Sequence, residues 1–226
     1  DDLATFHKLS HMLPAMHSTA HHIVEPMDHP ISHRHLRITH SSILHSDKTF
    51  MGMTTSGRNA EDVLDMAAIL FGEDFLETHP VVVGNCNGNS PLVWDETMLS
   101  AMRAFNRRNQ PVLCSPFVLG GANTPASTVP TVAQLNAEAL SALAYTQLIR
   151  PGCPAIYGHY LSTVSMQSGA PMAGRFCLSM AVPGPEFPQR TGGCSILTGS
   201  IVCCLTSVGA VDQPRMGRRR RTPPRT

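Results

Sequence analysis

Residues 80–117 read PVVVGNCNGNSPLVWDETMLSAMRAFNRRNQPVLCSPF and contain one complete strand, helix and strand. Pro80–Cys86 and Pro111–Phe117 are apolar runs that are too short for helices. They are nearly continuous rather than alternating, which is typical of parallel strands covered on both faces. Between them, Asp95–Asn109 has apolar residues at helical spacing and an aspartate suited to the N-cap position. The stretch therefore predicts a parallel β/α/β crossover.

The same unit recurs on both sides of this stretch. Thr49–Met53 (TFMGM) has the character of another buried strand and precedes a predicted helix, Asn59–Phe71. Successive strands begin about 30 residues apart, the length of one crossover unit. The remaining predicted segments are a weaker first strand Ala20–Val24, a helix His33–His45, a Gly/Pro/Thr-rich loop Gly120–Pro130, a helix Thr131–Ile149 and a strand Pro154–Gly158.

These segments predict an α/β fold, specifically a partial (β/α)8 TIM barrel with parallel strands alternating with helices. They supply about five of the eight strands that a closed barrel requires. A sheet of five strands has two open edges, which promote aggregation unless another chain covers them, so a homo-oligomer is an open alternative.

The pattern changes after Gly174. From Arg175 onward strands and helices no longer alternate, and four of the seven cysteines lie in this segment. We therefore divide the chain into a partial TIM-barrel domain, residues 1–174, and an unrelated irregular, basic tail, residues 175–226. A disordered tail and a frameshifted translation both account for this change, and the loss of pattern within a domain favours the frameshift.

Composition limits the classes of partner. The chain is 42% hydrophobic and 15% charged with a formal net charge of +1. Apart from the basic run Arg218–Arg221, it lacks the clustered cations that nucleic acids require. It also lacks an apolar run of about 20 residues and the layout of a signal peptide, so we expect a soluble, cytoplasmic protein with no membrane contact.

Ligand sites of parallel β/α folds lie at the carboxyl ends of the strands. Three predicted loops follow those ends: Gly84–Pro91, Ser115–Pro130 and Gly158–Pro171. All three are rich in Gly, Ser, Thr or Asn, which suit both ligand binding and plain turns. We expect Asn89, Thr124 and Tyr160, one from each loop, to lie on one side of the sheet.

An ordered set of short motifs is similar to a known family. The motifs run from Asp47-Lys48-Thr49-Phe50-Met51-Gly52 through Asn89-Ser90-Pro91-Leu92, Ser115-Pro116-Phe117 and Gln134-Leu135-Asn136-Ala137-Glu138 to Arg150-Pro151-Gly152 and Gly169-Ala170-Pro171. Together they resemble the trimethylamine-corrinoid methyltransferase family, over most of residues 1–174. Two positions depart from the family pattern: Ser165 precedes Met166 where an aspartate is common, and Arg175-Phe176-Cys177 replaces a Gly-x-Pro-Glu pattern.

The resemblance implies a TIM barrel that moves a methyl group from a tertiary or quaternary amine, such as trimethylamine or glycine betaine, to cobalt. The corrinoid (cobalamin) belongs to a separate corrinoid protein, so no cofactor is expected on this chain itself. Aromatic faces and a nearby carboxylate suit a cationic amine. The predicted substrate-binding residues are Phe117, Tyr157, Tyr160, Glu138, Asn89 and Thr124, and no catalytic residue is identified.

Two alternatives stay open. A different TIM-barrel enzyme, such as a lyase, would need a titratable base at a strand end, where only His159 fits. An inactive truncated fragment is the second. The twelve histidines match no closed zinc pattern, and the chain has no nucleotide-binding or serine-hydrolase motif.

Overall fold

Parallel strands alternate with helices along most of the chain, which confirms the predicted α/β class. The computed structural model describes residues 2–16, 18–19, 23–165, 167–172, 195–197, 200–202 and 205–206. The helices are α1 (Asp2–Met12), α2 (Ile31–His45), α3 (Gly57–Phe71), α4 (Glu73–Thr78), α5 (Glu96–Arg107) and α6 (Thr128–Ile149). The strands are β1 (Ser18–Thr19), β2 (Thr49–Gly52), β3 (Val82–Cys86), β4 (Val112–Cys114), β5 (Phe117–Gly120), β6 (Ala155–Tyr157), β7 (Tyr160–Val164), β8 (Pro171–Met172), β9 (Ser195–Leu197), β10 (Ser200–Val202) and β11 (Leu205–Thr206).

The main sheet has the order β1-β2-β3-β4-β6-β11. Its first five strands are parallel, and β11 pairs antiparallel with β6. A second sheet has the order β5-β7-β8, and β9 and β10 form an antiparallel pair. The predicted change after Gly174 falls mostly on residues outside those described. In the part of the chain that the structure describes, no helix has both the length and the apolar character needed to cross a bilayer.

The pairs β4–β6 in the first sheet and β5–β7 in the second have the same offset between partner residues. Val112 pairs with Ala155 in the first sheet and Gly120 with Thr163 in the second, both 43 positions apart in sequence. The backbone N–H of Tyr160 donates to the carbonyl oxygen of Pro116 across the break, at 2.9 Å. Strands β4 and β5 therefore act as one bent strand alongside β6 and β7, interrupted where Pro116 offers no N–H.

Several predicted boundaries were wrong. The first strand is Ser18–Thr19, Ile23 and Val24 form a bend, and Ala20–His22 lie outside the described residues. Two predicted loops, Ser115–Pro130 and Gly158–Pro171, each contain a strand, β5 and β7, because these strands pair with each other. Helix α6 begins at Thr128, and Pro130 fits its first turn, where backbone N–H groups have no intrahelical partner. The short helix α4 was not predicted.

The capping residue of α5 was predicted, whereas α3 begins at Gly57 and not at the predicted Asn59. The Asp95 carboxylate accepts from the backbone N–H of Met98 at 2.7 Å and caps α5, as its position in the sequence indicated. The Ser56 hydroxyl accepts from the backbone N–H of Asn59 at 3.0 Å and caps α3. These contacts fix where two of the crossover helices begin.

One face of the main sheet packs against the helices. Its inward side chains include Phe50, Val82 and Val112, which join a buried core with residues of α3 and α5. Phe105 of α5 is fully buried over two paired glycines, Gly52 and Gly84. A Cβ atom on Gly52 would lie 2.6 Å from Phe105, and one on Gly84 would lie 2.9 Å away. The glycines therefore create the space that this ring fills.

The opposite face of the main sheet is not covered in this way. Successive strand residues point to opposite faces, so Met51, Val83, Asn85 and Ile156 point away from the core face. Each of these side chains on this open face is only partly buried, whereas Leu113, which pairs with Asn85 and Ile156 on the same face, is 6% exposed. In parallel β/α folds, ligand sites generally lie beyond the carboxyl ends of the strands.

Acidification should destabilise the packing of α1 on α2. His7 is fully buried, and its ring nitrogens contact the hydroxyls of Ser41 (2.9 Å) and Ser42 (3.1 Å). Burial lowers the His7 pKa, and nearby His45 lowers it further, although Ser41 acts in the opposite direction. The unfolded chain therefore binds the proton more readily, so stability should fall as pH drops below about 6.5, by at most about 1.4 kcal/mol per pH unit.

Urea unfolding at pH 7.5 and 5.5 measures this effect, with His7→Gln as the comparison. The variant should lose part of the pH dependence, because Gln does not titrate. An identical pH dependence in both proteins would contradict the role of His7.

Candidate functional site

Phe117 and Tyr160 form an aromatic pair on adjacent strands. They are register partners at the starts of β5 and β7, and their rings stack with centroids 4.5 Å apart and an interplanar angle of 18°. Phe117 is 41% exposed, whereas its neighbour Val118 is fully buried. A Cβ on Gly120 would approach Thr131 of α6, so Val118 and Gly120 face α6. The alternation of side chains therefore places Phe117 and Tyr160 on the open face.

Tyr157 does not join this pair. It is 6% exposed, and its hydroxyl donates to Asn136 Oδ1 of α6 at 3.1 Å. Its ring also meets His159 edge-on, with centroids 6.4 Å apart. Burial raises the pKa of Tyr157. Because Tyr157 and Tyr160 are an odd number of residues apart, they lie on opposite faces of the sheet.

Glu138 is a buried carboxylate at the carboxyl edge of the sheet. It lies on α6 and is 2% exposed. Its Oε2 accepts from the Ser90 hydroxyl at 2.5 Å, and its Oε1 accepts from the Leu92 backbone N–H at 2.8 Å. Gln134 Nε2 donates to the same Oε1 at 2.9 Å. Both oxygens are therefore occupied, and the carboxylate holds the loop after β3 against α6.

Asn89 lies in this loop, and its side chain is used within it. Asn89 Nδ2 donates to Asp95 Oδ2 at 2.6 Å, and its backbone N–H donates to the Val93 carbonyl at 2.8 Å. Leu92 has a left-handed backbone with φ of 57°, which a leucine rarely adopts. Trp94 donates from Nε1 to the Glu138 carbonyl at 3.3 Å, so its ring is also tied to α6.

Thr124 lies in the next loop along the chain, after β5. Its hydroxyl donates to the Leu119 carbonyl at 3.2 Å, and the residue is 8% exposed. The two loops are linked through α6, because Gln134 Nε2 also donates to the Asn123 carbonyl at 3.3 Å. Asn89 and Thr124 thus belong to neighbouring, connected loops, while Tyr160 lies within a strand rather than in the third loop.

Sequence reasoning missed Gln134 and Ser90 as partners of Glu138. Gln134 and Glu138 are four residues apart on a predicted helix, a spacing that puts them on the same side. That spacing could have identified Gln134 as a hydrogen-bond partner of Glu138. The contact with Ser90 spans 48 positions in the sequence, and no local pattern indicates it.

The described residues show no activated nucleophile at this edge. Cys86 and Cys114, the last residues of β3 and β4, are buried free thiols. Burial raises the pKa of Cys114 to about 12 and also raises that of Cys86, so both stay protonated. Among the residues that the structure describes, no three His, Cys, Asp or Glu side chains cluster in a way that could hold a metal ion.

Comparison with known proteins gives a consistent set of similarities. The family model described as trimethylamine methyltransferase matches residues 1–181. Glycine betaine methyltransferase of Desulfitobacterium hafniense (strain Y51) is 39% identical over 200 residues, which cover 85% of this chain and 42% of that protein. Proline betaine:corrinoid methyltransferase of Eubacterium limosum is 28% identical over 148 residues, 62% of this chain and 30% of that protein.

A third relative is trimethylamine methyltransferase MttB of Desulfitobacterium hafniense (strain DSM 10664 / DCB-2). It is 30% identical over 124 residues, which cover 54% of this chain and 25% of the relative. The chain therefore spans less than half the length of the curated relatives it matches.

Proposed function

Because this chain belongs to the trimethylamine methyltransferase family, we propose that it forms part of an enzyme that moves a methyl group from a tertiary or quaternary amine to a corrinoid. Trimethylamine or a betaine is the proposed methyl donor, which the names of the relatives support. The proposed acceptor is the cobalt of a corrinoid held by a separate protein, supported by the name of the proline betaine relative.

We further propose that residues 1–174 are part of a (β/α)8 barrel and that residues 175–226 are not. The sequential order of five parallel strands, with helices packed on one face, supports the barrel. In such a barrel the open face of the sheet would be the interior. We also propose that the enzyme is cytoplasmic.

The observation that carries the proposal is the Phe117–Tyr160 pair on the open face. Aromatic faces attract cations, and a methylated ammonium head group is bound well by such faces. The two rings stack on each other, so a cation would contact the outer face of one ring. Phe117 is the more suitable, because it is 41% exposed.

The proposed methyl transfer does not require a general base. In an in-line displacement, the carbon–nitrogen bond breaks as the new bond to carbon forms, and its electron pair stays on nitrogen. A cationic amine therefore leaves as a neutral amine, and this chain needs no proton acceptor. The reduced corrinoid of the partner supplies the nucleophile. The residues of this chain orient the amine, and the loops held by Glu138 keep that geometry fixed.

A chimera tests this function. Residues 1–174 would replace the matching segment of the glycine betaine methyltransferase, and methylation of cob(I)alamin would be followed spectrally against betaines and methylamines. We expect turnover only when reduced corrinoid is supplied. Phe117→Ala or Tyr160→Ala should raise KM for the amine about two- to thirtyfold, as expected for the loss of a cation–π contact of about 0.5–2 kcal/mol.

Tyr157→Phe is the control, because it removes a buried hydroxyl on the other face and should leave KM unchanged. Equal turnover without corrinoid, or none with any amine, would disprove the proposed reaction. Unchanged KM in both aromatic variants would disprove the site but not the reaction.

A further inference from the structure

Two polar side chains on the open face have no hydrogen-bond partner among the described residues. Asn85 of β3 is partly buried, and its Oδ1 is buried without a partner. Ser115 directly follows β4 and is 8% exposed, and its hydroxyl contacts no donor or acceptor of the described chain. Buried polar groups are normally hydrogen-bonded, so these two require an explanation such as a bound ligand.

Strand alternation places Ser115 on the open face. Leu113 lies on that face, as its register partners show. The ladder stays regular through the bend between β4 and β5, because the carbonyls of Cys114 and Pro116 accept from the neighbouring strand at 3.0 and 2.9 Å. Every second residue after Leu113 therefore points the same way, first Ser115 and then Phe117.

The two polar groups are neighbours of the exposed ring. Same-face positions of one strand are about 7 Å apart, and adjacent strands are about 4.8 Å apart. The Cα of Ser115 is therefore about 7 Å from that of Phe117 and, diagonally across the strands, about 8 Å from that of Asn85. Leu113 leans over Gly158 of β6, away from Asn85, because a Cβ on Gly158 would lie 2.6 Å from its Cδ1. Ser115 and Asn85 are thus within reach of one small ligand.

Both groups can donate hydrogen bonds to an anion. A serine hydroxyl has one O–H, and an asparagine amide has two N–H bonds at Nδ2. Oδ1 is the buried end of the Asn85 amide, so Nδ2 is the end directed to the open face. Hydrogen bonds to an ionised acceptor are stronger than neutral ones. The strand residues around these donors on the open face are apolar: Met51, Val83, Leu113 and Ile156.

We propose that Ser115 and Asn85 bind the carboxylate of a betaine whose ammonium group contacts Phe117. The inference rests on the proposed function and narrows its substrate class to methylated amines that carry a carboxylate. A betaine has the two ends that this surface offers to bind, a methylated cation for the ring and an anion for the hydroxyl and the amide. Trimethylamine has no group that these donors would bind.

Ligand binding by the 226-residue chain tests this assignment without turnover. Isothermal titration would compare glycine betaine with its neutral methyl ester and with tetramethylammonium, which has the cation alone. We expect glycine betaine to bind at least about tenfold more tightly than either, the effect of a hydrogen bond to a charged group.

Substitutions at the two donors should remove this preference. Ser115→Ala and Asn85→Leu should each weaken glycine betaine binding by about tenfold and leave tetramethylammonium binding unchanged. Phe117→Ala should weaken binding of all three ligands. Ser100→Ala is the matched control, because this hydroxyl lies on α5, on the opposite side of the sheet, and donates to the Thr97 carbonyl at 2.8 Å. That variant should bind like the parent.

Asn85→Asp separates the carboxylate site from a loss of folding. The two side chains have the same shape, and the new negative charge repels a carboxylate and attracts a cation. The variant should therefore lose glycine betaine binding and bind tetramethylammonium at least as tightly as the parent. A misfolded variant would lose both ligands, and the circular dichroism spectrum would show it.

Equal affinity of the parent chain for the three ligands would overturn the carboxylate site, and so would binding of none of them. A preference that Ser115→Ala and Asn85→Leu leave intact would overturn it as well. The chimera tests the reaction separately. Corrinoid-dependent turnover of trimethylamine but of no betaine would overturn this inference and leave the proposed reaction standing. Selective binding of glycine betaine without such turnover would support the site and disprove the reaction.

Discussion

Glu138→Ala should lower the free energy of unfolding by about 2–4 kcal/mol, because it removes a buried carboxylate that accepts three hydrogen bonds. The carboxylate accepts from the Ser90 hydroxyl, the Leu92 backbone N–H and Gln134. Truncation leaves these donors without their acceptor, although water can replace it in part because Leu92 is 67% exposed. Urea unfolding of the variant and the parent measures the loss.

Glu138→Gln is the control. It keeps the side-chain shape and one acceptor oxygen, so it should cost clearly less than the alanine variant. Amide hydrogen exchange adds a local measurement: Leu92 should lose protection in Glu138→Ala before the core strands do. If the alanine variant were as stable as the parent, Glu138 would not hold the loop. Faster exchange across the whole chain would indicate general destabilisation instead.

Phe105→Ala should cost about 3–5 kcal/mol, the usual range for removing a buried phenylalanine ring. The ring is fully buried and fills the space above Gly52 and Gly84. Its removal leaves a cavity that the backbone of two strands cannot easily close. Denaturant unfolding measures the loss. Phe117→Ala is the matched control, because the same truncation at a 41% exposed residue should cost much less.

A double-mutant cycle tests whether Phe105 and Gly84 are energetically coupled or whether each substitution destabilises the fold independently. In the parent, Gly84→Ala places a Cβ 2.9 Å from Phe105 and should destabilise the fold by about 1–3 kcal/mol. In the Phe105→Ala background the added methyl group enters the cavity, so the same change should be neutral or stabilising. Equal costs in both backgrounds would mean that the ring and the glycines are not coupled.

Much of the α/β pattern could be predicted because it depends on local signals. The strands near Pro80 and Pro111 are apolar runs whose length excludes a helix, and Asp95 marks the start of α5 as a cap. Errors arose where pairing decided the structure. Tyr160–Val164 lies in a stretch with loop-like residues on either side, and it becomes a strand because β5 offers a partner edge.

The candidate site also depends on strand pairing and tertiary contacts that local sequence patterns do not indicate. Phe117, Tyr157 and Tyr160 were grouped as aromatic residues at strand ends, and their membership in one site stays a prediction. Strand alternation alone would have separated Tyr157 from Tyr160, provided that both were known to lie on continuous strands. The partners of Glu138 could not be predicted in this way, because Ser90 is 48 positions distant.

The amino-acid sequence by itself determined the family, the alternation of parallel strands with helices, and the positions of the crossover helices. These properties depend on residue order, hydrophobic period and capping, which act over a few residues. Only the tertiary structure decided that Phe117 stacks on Tyr160, that Tyr157 faces α6, and that Glu138 holds a distant loop. Those contacts depend on how strands pair and bend in space, since burial and hydrogen bonding between distant segments are set by the assembled fold.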